Sequence, residues 1–294
     1  MKKIKIPLGR ILLNIMLICI SFSFIIPLLL MVSISFSTEK DVLMNGYKLI
    51  PEHFTLHAYE LALSNPRQML QSYKVTFLFT ILTVFGGMLV QSLMAYPLSR
   101  SNYFLKKFSV VFILITMLFS GGLIPSYIVT TKYLHLGNSF WVYILPCLFT
   151  GWNVILYKTY YQNLPAGLIE AAKIDGAGEF LIYWKIVLPL SKPILATMAF
   201  SALIGKWNDW NTTLVYIRDQ DLYSLQYLLQ RVLREAEYMK SMQGTAGEAL
   251  MSHEMPTETM RYALAVLAAG PVLIIFPAFQ KYFAKGIVVG SVKG

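Results

Sequence analysis

Charge is what this chain of 294 residues has least of: Asp, Glu, Lys and Arg together make up 14% of it. A soluble domain runs nearer a quarter. So little charge cannot cover a water-facing surface. Disorder is argued against from the other side, because 56% of the residues are hydrophobic and the mean hydropathy is +0.57. Cysteine is scarce too. Cys19 and Cys147 stand singly in apolar runs, form neither a C-x-x-C pair nor a metal set, and read as small buried hydrophobes.

The motifs that carry chemistry are also missing. No Walker A sequence occurs; Gly205-Lys206 is followed by Trp207. No H-E-x-x-H or G-x-S-x-G occurs, and His253-Glu254 leads into Met-Pro-Thr. His53, His57, His135 and His253 are scattered, and the i, i+4 pair His53/His57 follows Pro51 in no metal context. Nothing here marks an enzyme.

What the chain does have is long apolar runs. A helix needs roughly 20 apolar residues to cross the hydrocarbon of a bilayer. Six stretches qualify: 11–34, 75–98, 108–130, 140–157, 194–216 and 262–279. The first follows Lys2, Lys3, Lys5 and Arg10, but it is longer than a signal-peptide core and no A-x-A site follows, so it reads as an uncleaved span.

The formal charge of +10 reports topology. With the N-terminus placed inside, the inner pieces hold 14 Lys and Arg against 3 acids, Glu170, Asp175 and Glu179. The outer pieces hold 10 basic and 12 acidic residues, and Lys206 lies within the fifth stretch. The excess is therefore on one side, the positive-inside pattern, with both termini cytoplasmic. Anionic membrane lipid accounts for the basic balance and no nucleic-acid partner is needed. Two outer loops are long, 35–74 and 217–261. In the second, Leu225, Leu228, Leu229 and Val232 share one face, which predicts an amphipathic helix.

The inner loop 158–193 is the most informative piece. Pro165 suits a first helical turn, Leu168, Ala171 and Ala172 make a small smooth face, and Asp175-Gly176 is a stop with Gly in the left-handed position. A second short helix runs to Leu188, where Pro189 ends it. The result is a helix–turn–helix with Glu170 projecting, a shape for docking rather than catalysis. Near the outer end of the fifth stretch stand Lys206, Trp207, Asn208, Asp209 and Trp210. Lys206 and Asp209 can pair at i, i+3, and Trp207 and Trp210 would share a helix face. Aromatic faces beside amide and carboxylate groups suit a sugar; an interfacial Trp belt with a local ion pair is the equal alternative. Trp152 and Asn153 in the fourth stretch form a weaker pair that could equally pack helices.

The full string Glu170-Ala171-Ala172, Asp175-Gly176-Ala177, then Ile186-x-Leu188-Pro189 resembles the E-A-A loop of ABC importer permeases, E-A-A-x-x-D-G-A, a spacer and I-x-L-P. The resemblance extends along the chain. The six stretches, the segment Trp207-Asn208-Asp209 and the tail with Lys285, Gly286, Gly290 and Gly294 resemble the maltose-type (MalG-like) carbohydrate permeases. The segment 222–230 resembles their lipoprotein/aldouronate-type oligosaccharide branch.

This resemblance implies an all-α membrane protein with six transmembrane helices, both termini cytoplasmic, and the type I ABC importer permease fold. It implies a cytoplasmic N-terminus (1–10), a permease domain (11–279) and a cytoplasmic tail (280–294). The function implied is half of the translocation path of a binding-protein-dependent importer for an oligosaccharide. The loop would be the coupling helix: Glu170 pairs with a basic residue of an ATPase subunit, Ala171 and Ala172 pack in its cleft, and Gly176 makes the turn. The tail would insert between the ATPase subunits; a frayed terminus is the other reading. The implied partners are a second, homologous permease, two ATPase subunits, which use ATP and Mg, and an extracytoplasmic solute-binding lipoprotein. This chain itself would bind no cofactor. The alternative function, an ion-coupled secondary transporter, would need a midplane acidic or broken-helix ion site, and the six stretches hold no acid cluster.

Overall fold

The computed structural model describes residues 8–246 and 257–290, and the elements named among them are helical. Helix α1 (Leu8–Ser35) is followed by the short α2 (Glu39–Asn45) and α3 (His57–Ala62) and by the long α4 (Pro66–Ser99). Next come α5 (Lys106–Leu118), α6 (Leu123–Ile128), a π-helical turn (Val129–Tyr133) and two 3-10 turns (Phe140–Tyr143 and Leu145–Cys147). Helices α7 (Gly151–Gln162), α8 (Ala166–Ile174) and α9 (Glu179–Ile182) lead through a second π-helical turn (Tyr183–Val187) into α10 (Leu188–Leu190), α11 (Lys192–Trp207) and α12 (Asn211–Tyr216). The described chain closes with α13 (Leu225–Ala246) and α14 (Thr257–Gly290).

Three of these are long and apolar enough to cross a membrane unbroken: Leu12–Ser35 of α1, α4, and Glu258–Gln280 of α14. The other apolar stretches are broken. Lys106–Leu118 meets Leu123–Tyr133 at 112°, Phe140–Cys147 meets Gly151–Gln162 at 43°, and Glu179–Leu190 meets Lys192–Trp207 at 76°. Each break has a local cause. Gly121 and Gly122 (φ +85°) separate α5 from α6, Pro146 and the extended Thr150 precede α7, and Lys192-Pro193 open α11. The stretch 194–216 is interrupted as well, because α11 ends at Trp207 and α12 starts at Asn211. Hydropathy counts apolar residues and is blind to whether the helical ladder continues through them. Among the described residues the candidate spans therefore number three, or up to six if each bent pair is one.

The chain divides into two compact units, the first of residues 1–66 and 229–271, the second of 67–228 and 272–294. In the first unit, Glu39 closes the start of α14 from far away in sequence. Its carboxylate accepts the N–H groups of Glu258 (3.0 Å) and Thr259 (2.9 Å) and the Thr259 hydroxyl (3.1 Å). Thr38 caps α2 through the N–H of Asp41 (3.2 Å), and Phe36 stacks on Phe54 with ring centroids 5.2 Å apart. The most apolar 18 residues of α1 are not buried against this chain, and their Leu, Ile and Phe side chains face outward, as lipid-facing residues do, whereas Ser33, Ile34 and Ser35 at the end of the helix are buried.

In the second unit, α4 buries a row of small and polar residues, among them Ser72, Thr76, Thr80, Thr83, Gly87, Gln91 and Ser92. Small residues let helices approach closely. Gly151 of α7 serves the same end against α5, since a Cβ there would stand 2.9 Å from Met117 Cγ and 3.0 Å from Ile113 Cγ2. One core joins Val154, Tyr157 and Tyr161 of α7 to Ala95 and Tyr96 of α4 and to Ile169, Ile182, Tyr183 and Val187. A second is built on Phe79 stacked over Tyr143, centroids 4.4 Å apart. The Tyr143 hydroxyl is held by Thr213 (2.7 Å) and Leu222 O (2.8 Å). The amphipathic helix expected in 217–261 forms as α13, with Leu225, Leu228 and Leu229 buried.

Candidate functional site

The segment 163–191 folds into a hairpin whose tip is set by turn chemistry. Pro165 (φ −56°) precedes α8, and the Leu168 N–H reaches its carbonyl at 3.3 Å. At the other end Gly176 takes φ +77°. Its N–H bonds Lys173 O (3.0 Å) and the Ala177 N–H bonds Ala172 O (2.9 Å), the paired pattern of a Schellman cap. Glycine is needed there because a Cβ disfavours left-handed φ. Pro189 does not end the second helix as expected. The π-helical turn shifts hydrogen bonding to i−5, with the Leu188 N–H on Tyr183 O, and Pro189 sits in the first turn of α10, where its missing N–H leaves no gap.

The hairpin sorts the expected residues onto two sides. Glu170 is exposed and makes no hydrogen bond or ion pair among the described residues. Leu168 and Ile174 are exposed beside it, at 47% and 87%, and so are Ala171, Asp175 and Pro189. Ala172, Ala177 and Leu188 turn the other way and pack on the core. The smooth face expected from Ala171 and Ala172 together is therefore split: the helix turns only Ala171 outward with Glu170.

Along the hairpin lies an open cavity of about 860 Å³, lined in part by Tyr96, Arg100, Glu170, Lys173 and Glu179. Lys173 Nζ stands 2.7 Å from Glu179 Oε1, and the Tyr96 hydroxyl donates to Glu179 Oε2 at 2.5 Å. The Arg100 guanidinium carbon lies 4.5 Å from the centroid of the Tyr96 ring. Deeper in, the Ser92 hydroxyl bonds those of Tyr161 (2.5 Å) and Tyr183 (2.8 Å). Sequence reasoning missed Ser92, Tyr96, Tyr161, Glu179 and Tyr183 as members of this site. Its one usable signal was that Glu179 is one of three acids on an otherwise basic side.

A second cavity, about 250 Å³, is lined by Gln91, Cys147, Asn153, Tyr157 and Lys206 among others. Asn153 Nδ2 donates to Gln91 Oε1 (3.0 Å), and Gln91 Nε2 donates to Leu148 O (3.0 Å). Lys206 Nζ is 2.9 Å from Asp209 Oδ2, the pair expected at i, i+3. Asp209 also accepts the Thr212 N–H (3.0 Å) and hydroxyl (2.8 Å), which caps the start of α12. The helix stops at Trp207, so the shared face expected for Trp207 and Trp210 does not form. Trp207 is buried near Tyr73, with ring centroids 6.4 Å apart. Trp210 is half-buried and Asn208 exposed, and Trp152 is 59% exposed. Of the seven candidate path residues, Lys206 and Asn153 face this cavity.

In the tail, α14 carries Lys285, Gly286 and Gly290 within its backbone, whereas Gly294 lies outside the described residues, as do Lys2, Lys3 and Lys5. Ionisable groups cluster in the 38–53 segment as well. The Asp41 carboxyl is held below the usual carboxylate range, first by the Thr38 hydroxyl at 2.6 Å and then by His53 at 3.0 Å. Glu52 is lowered by Lys48 and then Asn45.

Comparison with known proteins places this architecture. Protein LplC of Bacillus subtilis is 37% identical over 270 residues, covering 92% of this chain and 90% of that one. The polygalacturonan/rhamnogalacturonan transport system permease protein YtcP of the same organism is also 37% identical, covering 92% of this chain and 93% of its own. A crystal structure of a bacterial ABC transporter involved in the import of the acidic polysaccharide alginate contains a chain of the same fold. It superposes with a TM-score of 0.77 at 26% identity, over 96% of this chain and 99% of that one. The family of binding-protein-dependent transport system inner membrane components matches residues 6–289. With that match over nearly its whole length, the chain belongs to the family of inner membrane components of binding-protein-dependent transport systems.

Proposed function

We propose that this chain is the permease subunit of an ATP-driven importer of oligosaccharides, and that the hairpin carrying Glu170 is where an ATPase subunit docks. The observation that carries the docking reading is Glu170 itself. It is an exposed carboxylate with no partner among the described residues, flanked by exposed Leu168, Ala171 and Ile174 on a helix whose far side is buried. A largely apolar face carrying an unpaired carboxylate suits a protein partner that supplies a cation. In this reading the hairpin and both termini are cytoplasmic, in line with the excess of basic residues there. The ATPase subunits bind ATP and Mg, while this chain binds neither. A second, homologous permease completes the path, and an extracytoplasmic binding protein delivers the sugar. Lys206 and Asn153 line the path from this side, and the tail with Lys285, Gly286, Gly290 and Gly294 is the segment that meets the ATPase.

The oligosaccharide class is supported by the relatives' names, since YtcP is named for polygalacturonan and rhamnogalacturonan and the solved transporter for alginate. The test is a reconstitution in lipid with the second permease, the ATPase and the binding protein. Partial hydrolysates of polygalacturonan, alginate, arabinan and starch serve as the sugar panel. ATP hydrolysis should rise with at least one loaded sugar, and Glu170→Lys should remove the rise. Removing one partner of an interfacial charge pair costs about 2–5 kcal/mol, enough to weaken docking by about thirtyfold or more. Full stimulation in that variant would refute the docking reading.

A further inference from the structure

The hairpin is tied to α4 at two depths. The inner tie is the buried hydroxyl cluster in which Ser92 of α4 meets Tyr161 and Tyr183. The outer tie runs through a single carboxylate. Glu179 Oε1 holds Lys173 in the last turn of α8 at 2.7 Å, and Glu179 Oε2 accepts the hydroxyl of Tyr96, near the end of α4, at 2.5 Å. Arg100 lies over the Tyr96 ring, and its Nε and Nη2 are buried with no hydrogen-bond partner, so the aromatic face is what meets them. The four side chains make one line: Arg100 on Tyr96, Tyr96 on Glu179, Glu179 on Lys173. Glu170, three residues before Lys173 in α8, lines the same cavity.

The ends of this line have opposite settings. Lys173 and Glu179 are 46% and 53% exposed, so their pair does little for stability in water. A link that stabilises the fold weakly yet joins two helices through both oxygens of one carboxylate is suited to fixing an angle. We propose that Glu179 is a positioning residue that locks α8 to α4, so that a push at Glu170 moves the second long helix together with the hairpin. This rests on the reading of Glu170 as the docking point. Without the carboxylate, α8 is held by its core-facing Ile169 and Ala172, with Ala177 in the turn after it, and the Ser92 cluster sits deeper. The hairpin tip could then tilt while α4 stays behind.

The test reads that tilt. Spin labels are placed at Gly178 at the hairpin tip, outside the docking face and with open space around a built Cβ, and at Met94 on α4 (42% exposed), with Cys19 and Cys147 replaced by alanine. Their separation is measured in the assembled complex, without nucleotide and with ADP trapped by vanadate. The wild-type background should give one narrow distance that trapping leaves in place. Glu179→Ala should shift or spread it in the trapped state, and so should Tyr96→Phe, which cuts the same link from the α4 side and keeps the ring under Arg100. A wild-type distance that itself changes on trapping overturns the proposal. So does an unchanged narrow distance in both variants; if Glu179→Ala does not assemble, Tyr96→Phe alone decides. Glu170→Lys separates the two ideas, because retained co-purification of the ATPase in that variant would defeat the docking reading whatever the labels report.

Discussion

Glu39 offers the prediction whose size follows most directly from the geometry. It is 7% exposed, and its carboxylate accepts two backbone N–H groups and a hydroxyl at the start of α14. The first N–H groups of a helix have no partner within the helix, so Glu39 does for α14 what a cap residue ordinarily does from the adjacent position. Alanine there leaves buried donors unpaired, at about 1–3 kcal/mol each, and removes a charge-assisted bond. It also removes a negative charge from the positive end of the helix dipole, worth up to about 2 kcal/mol when partly buried. These contributions overlap, and about 3 kcal/mol is the expected loss for Glu39→Ala. Glu39→Gln keeps one acceptor oxygen but turns an NH2 toward one of the two N–H groups and loses the charge, so about 2 kcal/mol is expected. Hydrogen exchange in detergent reads this locally. The amides of 258–261 should open about a hundredfold more often in the alanine variant and about thirtyfold more often in the glutamine variant. Alanine-variant protection matching wild type would refute the capping argument. Equal losses in both variants would assign the effect to charge alone.

Two further outcomes follow from backbone conformation and from charge. Gly176→Val places a β-branched side chain at φ +77° and should cost about 1–2 kcal/mol, seen as faster proteolysis at the hairpin tip and weaker ATPase binding, whereas Gly176→Asn, which tolerates that conformation, should behave close to wild type. Asp41 carries a depressed carboxyl, so its stabilising effect is complete above the unfolded value near 3.8 and is lost as pH falls through its lower folded value; in a His53→Gln background, which removes the neighbouring imidazole from the titration, the difference in melting temperature made by Asp41→Asn should be steady from pH 5 to 8 and shrink only below that window, and a difference that vanishes by pH 6 would contradict the assignment.

The hairpin was legible in the sequence because its determinants are local. Pro165, Asp175 and Gly176 each act on the backbone within two or three residues, and the structure has the turn where they place it. The same holds for the Lys206–Asp209 pair and for the buried face of α13. What could not be read is what joins distant segments: Tyr96 to Glu179 over 83 residues and Glu39 to Thr259 over 220. No periodicity points from one to the other. The orientation of Ala172 was equally hidden, since one step along a helix turns a side chain by about 100°, and which of two neighbouring alanines faces the core depends on the tertiary contacts of Ile169 and Ala177.

The broken helices show how an interruption at membrane depth can explain residues that otherwise look like a site. In hydrocarbon, backbone groups freed by a break must find partners. Where α11 stops at Trp207, Asp209 supplies them by capping α12 through Thr212. A half-buried carboxylate in turn needs a counter-charge, and Lys206 provides it at 2.9 Å. The ammonium is thus accounted for by the break before any substrate is considered. Asn153 differs, because among the described residues its amide bonds Gln91, a side chain from another helix facing the same cavity. If a sugar passes on this side, the amides of Gln91 and Asn153 are free to trade their mutual bond for its hydroxyls, whereas Lys206 would have to leave Asp209 to do so.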